Sequence, residues 1–120
     1  MGTITNAGLD SMATLLIGAY PYVATGTDST AEVNTDAALG AENTLYGSAR
    51  KAATTSTSST GIATWNVLFP FTGSVTVREI GIFSASSSGT MLYRRVLAAN
   101  RTYADGDSME ITVTHTYARS

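Results

Sequence analysis

The chain has 120 residues, a hydrophobic fraction of 43%, a formal net charge of −2 and no cysteine. That length suits one domain with one real core, burying about two-thirds of the surface that the unfolded chain exposes. The lack of cysteine excludes disulfides, thiolate metal sites and cysteine nucleophiles, and a single lysine, Lys51, with no basic stripe argues against non-specific nucleic-acid binding.

Charged residues make up 13% of the chain, about half the usual ~25%, and Thr, Ser, Ala and Gly take their place. Neutral hydroxyls re-pair across a contact more cheaply than ammonium or carboxylate groups desolvate. Such a surface suits a subunit that lives packed against neighbours. The longest apolar run near the N-terminus, Leu15-Leu16-Ile17, is too short to span a membrane, and no basic segment precedes it. Neither a membrane partner nor a signal peptide is expected, and the protein is expected to be made in the cytoplasm or used on an assembly that matures there.

One domain covering 1–120 is expected, with an N-terminal arm and short helix over 1–19 and a β body over 20–120. Leu9, Met12, Ala13, Leu16 and Ile17 fall on one stripe of helical period. Thr5 or Asn6 can cap the start, and Gly18 is placed as the residue after the end. Three turns are marginal alone, so the stripe must dock, on this domain's own sheet or on a partner.

Tyr20 to Thr25 reads as a short strand and Gly26 to Asn43 mostly as loop, with Asp36 able to cap one helical turn through Ala37, Ala38 and Leu39. Leu45 to Thr57 is strand-like and runs into Thr54 to Thr60, all Thr and Ser. That run is a solvated β edge or a hairpin tip, and its serines favour the tip.

From Ile62 to Phe71, strict alternation puts Ala63, Trp65, Val67, Phe69 and Phe71 on one face, with Pro70 fitting a strand end. Thr72-Gly73 supplies a turn. In Ser74 to Phe83 the pair Val75 and Val77 is out of phase with Ile80 and Ile82, which predicts a bulge near Arg78-Glu79. Thr90 to Leu97 is a strand carrying Met91, Tyr93 and Arg94-Arg95. Asp105-Gly106 marks a tight turn, and Met109, Ile111, Val113, His115 and Tyr117 then alternate inward over Ser108 to Tyr117. The fold class expected is mainly β, an antiparallel β-sandwich or jelly-roll-like barrel with one short N-terminal helix.

No catalytic residue, metal site or cofactor is expected. His115 is the single histidine and falls on the apolar face of the last strand, where a core role suits it better than catalysis. Asp105, Asp107 and Glu110 are the densest acidic group, but Asp-Gly is the commonest hairpin turn and the spacing is not that of a calcium loop. Gly26 and Gly40 are isolated, without a phosphate-binding loop. The candidate interface residues are Arg94, Arg95, Arg50, Lys51 and Glu79. Arg94 and Arg95 must point to opposite faces of their strand. Glu79, polar within an apolar strand, either closes an internal ion pair with Arg78, Arg94 or Arg95 or faces a subunit interface.

Three segments carry a resemblance: Val75 to Phe83, with Glu79-Ile80-Gly81-Ile82-Phe83; Ser88 to Arg95; and Gly106 to Thr112. Together with Asn6-Ala7-Gly8-Leu9 and Ala38 to Glu42, they resemble a family of small virion proteins of tailed viruses, encoded among head and tail genes. The shared pattern is a strand ending in Glu-x-Gly-x-Phe, a Gly-hydrophobic strand ending in Arg, and a Gly-Asp hairpin leading the last strand. A similar Glu-x-Gly-x-Phe strand occurs in domains that attach tail fibres. The resemblance implies assembly without catalysis, in a virion put together in the host cytoplasm.

The reading reached is a capsid decoration protein that clamps the assembled head shell, with the major capsid protein or tail proteins as partners. A homo-oligomer is expected, a trimer favoured, with no nucleic-acid or membrane partner. The alternative is a tail or tail-fibre attachment protein. A second alternative is a carbohydrate-binding module using Trp65 and the tyrosines as stacking platforms.

Overall fold

The computed structural model describes residues 2–58 and 61–117. Over these the chain forms α1 (Asn6–Ala19), β1 (Tyr22–Gly26), β2 (Lys51–Ala52), β3 (Thr54–Ser58), β4 (Ile62–Pro70), β5 (Val75–Phe83), β6 (Met91–Tyr103) and β7 (Ser108–Thr116). Every pairing is antiparallel, in one sheet of order β2-β1-β5-β6 and another of order β3-β4-β7. The two sheets lie in a sandwich-like arrangement, and the jelly-roll-like barrel does not form, because the strands make two separate sheets with free edges.

The alternation in β4 lays Ala63, Trp65, Val67 and Phe69 into the space between the sheets, where Phe71 follows them. Trp65 is 1% exposed, and its indole N–H donates to the Tyr20 carbonyl at 2.8 Å. A buried indole with a satisfied N–H is a core residue and offers no stacking platform. Pro70 ends β4 beyond the stretch that β3 covers, so no neighbouring strand needs the N–H it lacks.

The phase change in β5 is resolved as the alternation requires. Val77 pairs with Arg101 and Glu79 with Val96, so β6 places four residues opposite Arg78, whose guanidinium Nε donates to the Leu97 carbonyl. The extra residues sit on β6, at the place the sequence indicates on β5. Val75, Val77, Ile80 and Ile82 thereby all join the inter-sheet core. Glu79, Gly81 and Phe83 take the opposite face, where Phe83, Ala24 and Leu39 form a second small cluster. The segment that follows β1 covers this outer face. Sheet and cover together bury Glu79 through Phe83 without a break.

The helix starts where the cap was expected, with the Thr5 hydroxyl accepting from the Gly8 N–H. It runs through Gly18 to Ala19, so Gly18 is not its stop. It docks on this domain's own β3 and β4, burying Leu9 and Ala13, and the Asp10 carboxylate accepts from the Gly61 N–H. Met12 stays exposed and Leu16 and Ile17 are half-buried, so the buried stripe is narrower than the sequence suggests.

Other boundaries move. Asp36 caps no helical turn, because its carboxylate is taken by the Val33 N–H and by Arg94. The strand expected over Leu45 to Thr57 is confined to β2 and β3, with turn and irregular chain over 45–50. Thr54 to Ser58 form an edge strand, so this part of the Thr/Ser run is β edge and not the favoured hairpin tip; Ser59 and Thr60, the rest of the run, lie outside the described residues. His115 is exposed rather than in the core, stacking edge-on to Tyr117 at 4.8 Å. It sits near the end of β7, an outermost strand, beyond Met109 and Ile111, which are buried.

Ile111 is 5% exposed, and Ile111→Ala is expected to destabilise the domain by about 2–5 kcal/mol in urea denaturation. Thr114→Ala, on the solvent face of the same strand, should stay within about 0.5 kcal/mol of the parent.

Candidate interaction surface

Glu79 lies on the outer face of β5 with no exposed surface. A carboxylate so buried must have its lone pairs filled, and four donors fill them. The backbone N–H groups of Asp28, Gly40 and Ala41 donate at 3.0, 2.9 and 2.9 Å, and Arg94 Nε donates at 3.0 Å. Arg94 lies on the neighbouring strand opposite Gly81, which brings its guanidinium beside the carboxylate. The rest of its fork reaches Asp36 at 3.1 Å, Asp28 at 3.4 Å and the Thr30 carbonyl at 2.9 Å.

One arginine thus gathers three carboxylates that the chain separates by up to 51 residues, and the 27–44 segment is tied down at both of its ends. Gly26 and Gly40 are needed for this approach. A Cβ on Gly26 would strike the Glu79 carboxylate and come within 2.6 Å of the Ala41 carbonyl, and one on Gly40 would strike the Asp28 side chain. Burial disfavours the charged form of Arg94, yet its hydrogen bonds to Glu79 and Asp36 prevail and hold its pKa above the ordinary value. Asp28 is held below its ordinary value by the backbone N–H and hydroxyl of Thr30, with Arg94 adding to the effect.

A second clamp fixes the next part of the segment. Arg50 makes a two-point contact with Glu42 at 2.7 and 2.9 Å, donates to the carbonyls of Ala85 and Ser88, and lies 3.6 Å above the Phe83 ring. This is a bidentate ion pair with a cation–π contact beneath it. Asn43 ties the same stretch to the Thr76 carbonyl and the Thr25 hydroxyl.

Of the five candidate interface residues, Glu79, Arg94 and Arg50 are therefore engaged inside the chain. For Glu79 this is the internal ion pair, with Arg94 as partner. Lys51 lies on the two-residue edge strand β2. Arg95 points to the opposite face from Arg94, as alternation requires, and is exposed. The structure adds Arg101, which the sequence reading passed over. Both register with core-facing residues of β5, Arg95 with Ile80 and Arg101 with Val77. They line a groove of about 320 Å³ between β6 and β7, along with Ile80, Leu97 and Ile111. Asp107 closes its turn by accepting from the Ala104 N–H, and among the described residues no three His, Asp or Glu side chains gather as metal ligands.

The model of the family described as Podophage GP4 fiber I protein gp80 matches residues 4–118. The chain belongs to that family. It is a structural protein of a phage virion, as the resemblance to virion proteins of tailed viruses implies. No curated protein matches the chain.

The two perturbed groups set the pH response. Asp28 has a folded pKa below its ordinary 3.8, so its contribution is complete above that value and disappears as pH falls through the lowered one. Arg94 has a folded pKa above its ordinary value, so its contribution is complete at every pH below the ordinary guanidinium range and gives no slope near neutrality. Melting temperatures followed by circular dichroism should fall as pH drops below the carboxylate range. Asp28→Asn should flatten that fall, and an unchanged acid slope would remove Asp28 from its cause.

Proposed function

We propose that the chain is a non-catalytic fibre component on the tail side of the phage particle, a rigid body that joins or braces fibre subunits. The match over residues 4–118 to a family described as a podophage fiber protein carries this reading. It weighs the tail-fibre alternative above decoration of the head shell.

The architecture suits the role. Its long connecting segment is fastened by buried side chains, so the surface it presents is fixed before any partner arrives, and a pre-organised surface loses less entropy on docking. The partners proposed are other fibre or tail proteins, with further copies of the chain in a symmetric oligomer, a trimer favoured. The carbohydrate-binding alternative loses its main platform with Trp65 in the core.

Quantitative mass spectrometry of purified particles, combined with antibody labelling in electron micrographs, tests the proposal. A copy number in keeping with a set of fibres, and label confined to the tail end, are expected. Label spread over the head with hundreds of copies would return the assignment to shell decoration.

A further inference from the structure

Four strands border the two sheets; two of them offer only short edges, and a third has an edge donor taken. β2 has two residues, and β3 is short and made only of Thr and Ser. On β6 the carboxylate of Glu32 accepts from the Val96 N–H at 2.6 Å. Short edges and capped edges are how natural sheets avoid unwanted pairing.

The nine-residue β7 lacks such a guard. Phe71 N–H donates to the Asp107 carbonyl at one end of the β4–β7 ladder and Tyr117 N–H to the Gly61 carbonyl at the other. With the register between them unbroken, the odd-numbered residues of β7 exchange bonds with β4. Glu110, Thr112 and Thr114 therefore turn their N–H and C=O groups away from it.

That free edge borders the groove that holds Arg95 and Arg101. Among the described residues neither arginine side chain has an ion-pair or hydrogen-bond partner. Their strand neighbour Arg94, by contrast, is fully engaged.

We propose that β7 is a docking edge that takes an extended, acidic segment of a neighbouring virion protein as an added strand. Its backbone would pair with Glu110, Thr112 and Thr114, its apolar side chains would meet Ile80, Leu97 and Ile111, and its carboxylates would meet Arg95 and Arg101. Strand addition draws affinity from the backbone and specificity from alternate side chains. The charges select a foreign segment over a second copy. Two copies joined through β7 would bring four arginines and two Glu110 carboxylates to one seam, leaving guanidinia unpaired.

The inference rests on the chain being a virion component, and the test separates the two. Particles made without the chain are supplied with wild type, Arg95→Glu/Arg101→Glu, or Thr112→Pro. The Thr112 N–H is one that β4 does not use, so proline there removes an edge donor and leaves the ladder bonded. Wild type is expected to enter particles, and its 108–116 peptide to exchange hydrogen more slowly there than in the free protein. Both variants are expected to enter at least about tenfold less.

Should Thr112→Pro unfold, the arginine variant decides, because those exposed side chains hold nothing within the chain. Variants that enter as well as wild type would overturn the proposal. So would a free protein that light scattering shows to be self-paired, with the amides of Glu110, Thr112 and Thr114 already protected. Wild type absent from particles would instead remove the virion reading, and the inference with it.

Discussion

A carboxylate with no access to water holds the outer layer of this protein in place. Burying Glu79 beside Arg94 carries a desolvation cost of several kcal/mol per ion, and it is offset only because each lone pair of Glu79 meets a donor at 2.9–3.0 Å. Three of those donors are backbone N–H groups from two separate stretches of the covering segment. The pair therefore sets a geometry more than it adds stability: the segment must return to the sheet at Asp28 and again at Gly40 and Ala41 for the charge to be satisfied. A segment that strayed would leave a buried charge short of partners.

The Glu-x-Gly-x-Phe run has a physical meaning in this light. Residues 79, 81 and 83 share the outer face of β5 and form the platform for the cover. Glu79 supplies the acceptor. A Cβ on Gly81 would come within 2.9 Å of both Leu39 and the Phe83 ring, so glycine there lets the cover lie flat. Phe83 supplies the floor on which Arg50 rests at 3.6 Å. Arg94, near the start of β6, completes the ion pair from the adjacent strand. A pattern of this kind marks a docked segment, and the rigid body it produces is what a structural role in a phage particle needs.

Much of the fold was legible because β alternation is a local signal. Ala63, Trp65, Val67, Phe69 and Phe71 face the core as the pattern dictates, and the phase change between Val77 and Ile80 marks the place of the bulge. The signal faded where burial depends on distant cover. His115 continues an inward alternation but lies near the end of an outermost strand, and nothing local states where the opposite sheet stops. The candidate residues were legible in part. Glu79 stood out as a charge in an apolar strand, and an arginine among its partners was foreseen. The roles of Asp28 and Asp36 were hidden, since contacts across 66 and 58 residues leave no periodicity, and that of Glu42 because its pair with Arg50 spans irregular chain. Gly26 and Gly40 were the available hints, being glycines without an evident turn. Arg101 became visible only once the register across the bulge set it beside Arg95.

Native-state hydrogen exchange at the amides of Asp28, Gly40 and Ala41, in wild type and in Glu79→Gln, tests the claim most directly. In wild type all three should be protected almost as well as the β4–β7 ladder. Glu79→Gln presents an amide NH₂ to groups that themselves donate, and should cost about 3–5 kcal/mol, releasing those three amides well beyond any general loss of protection. If they exchange freely in wild type, or keep their protection in the variant, the buried carboxylate is not what holds the outer layer to the sheet.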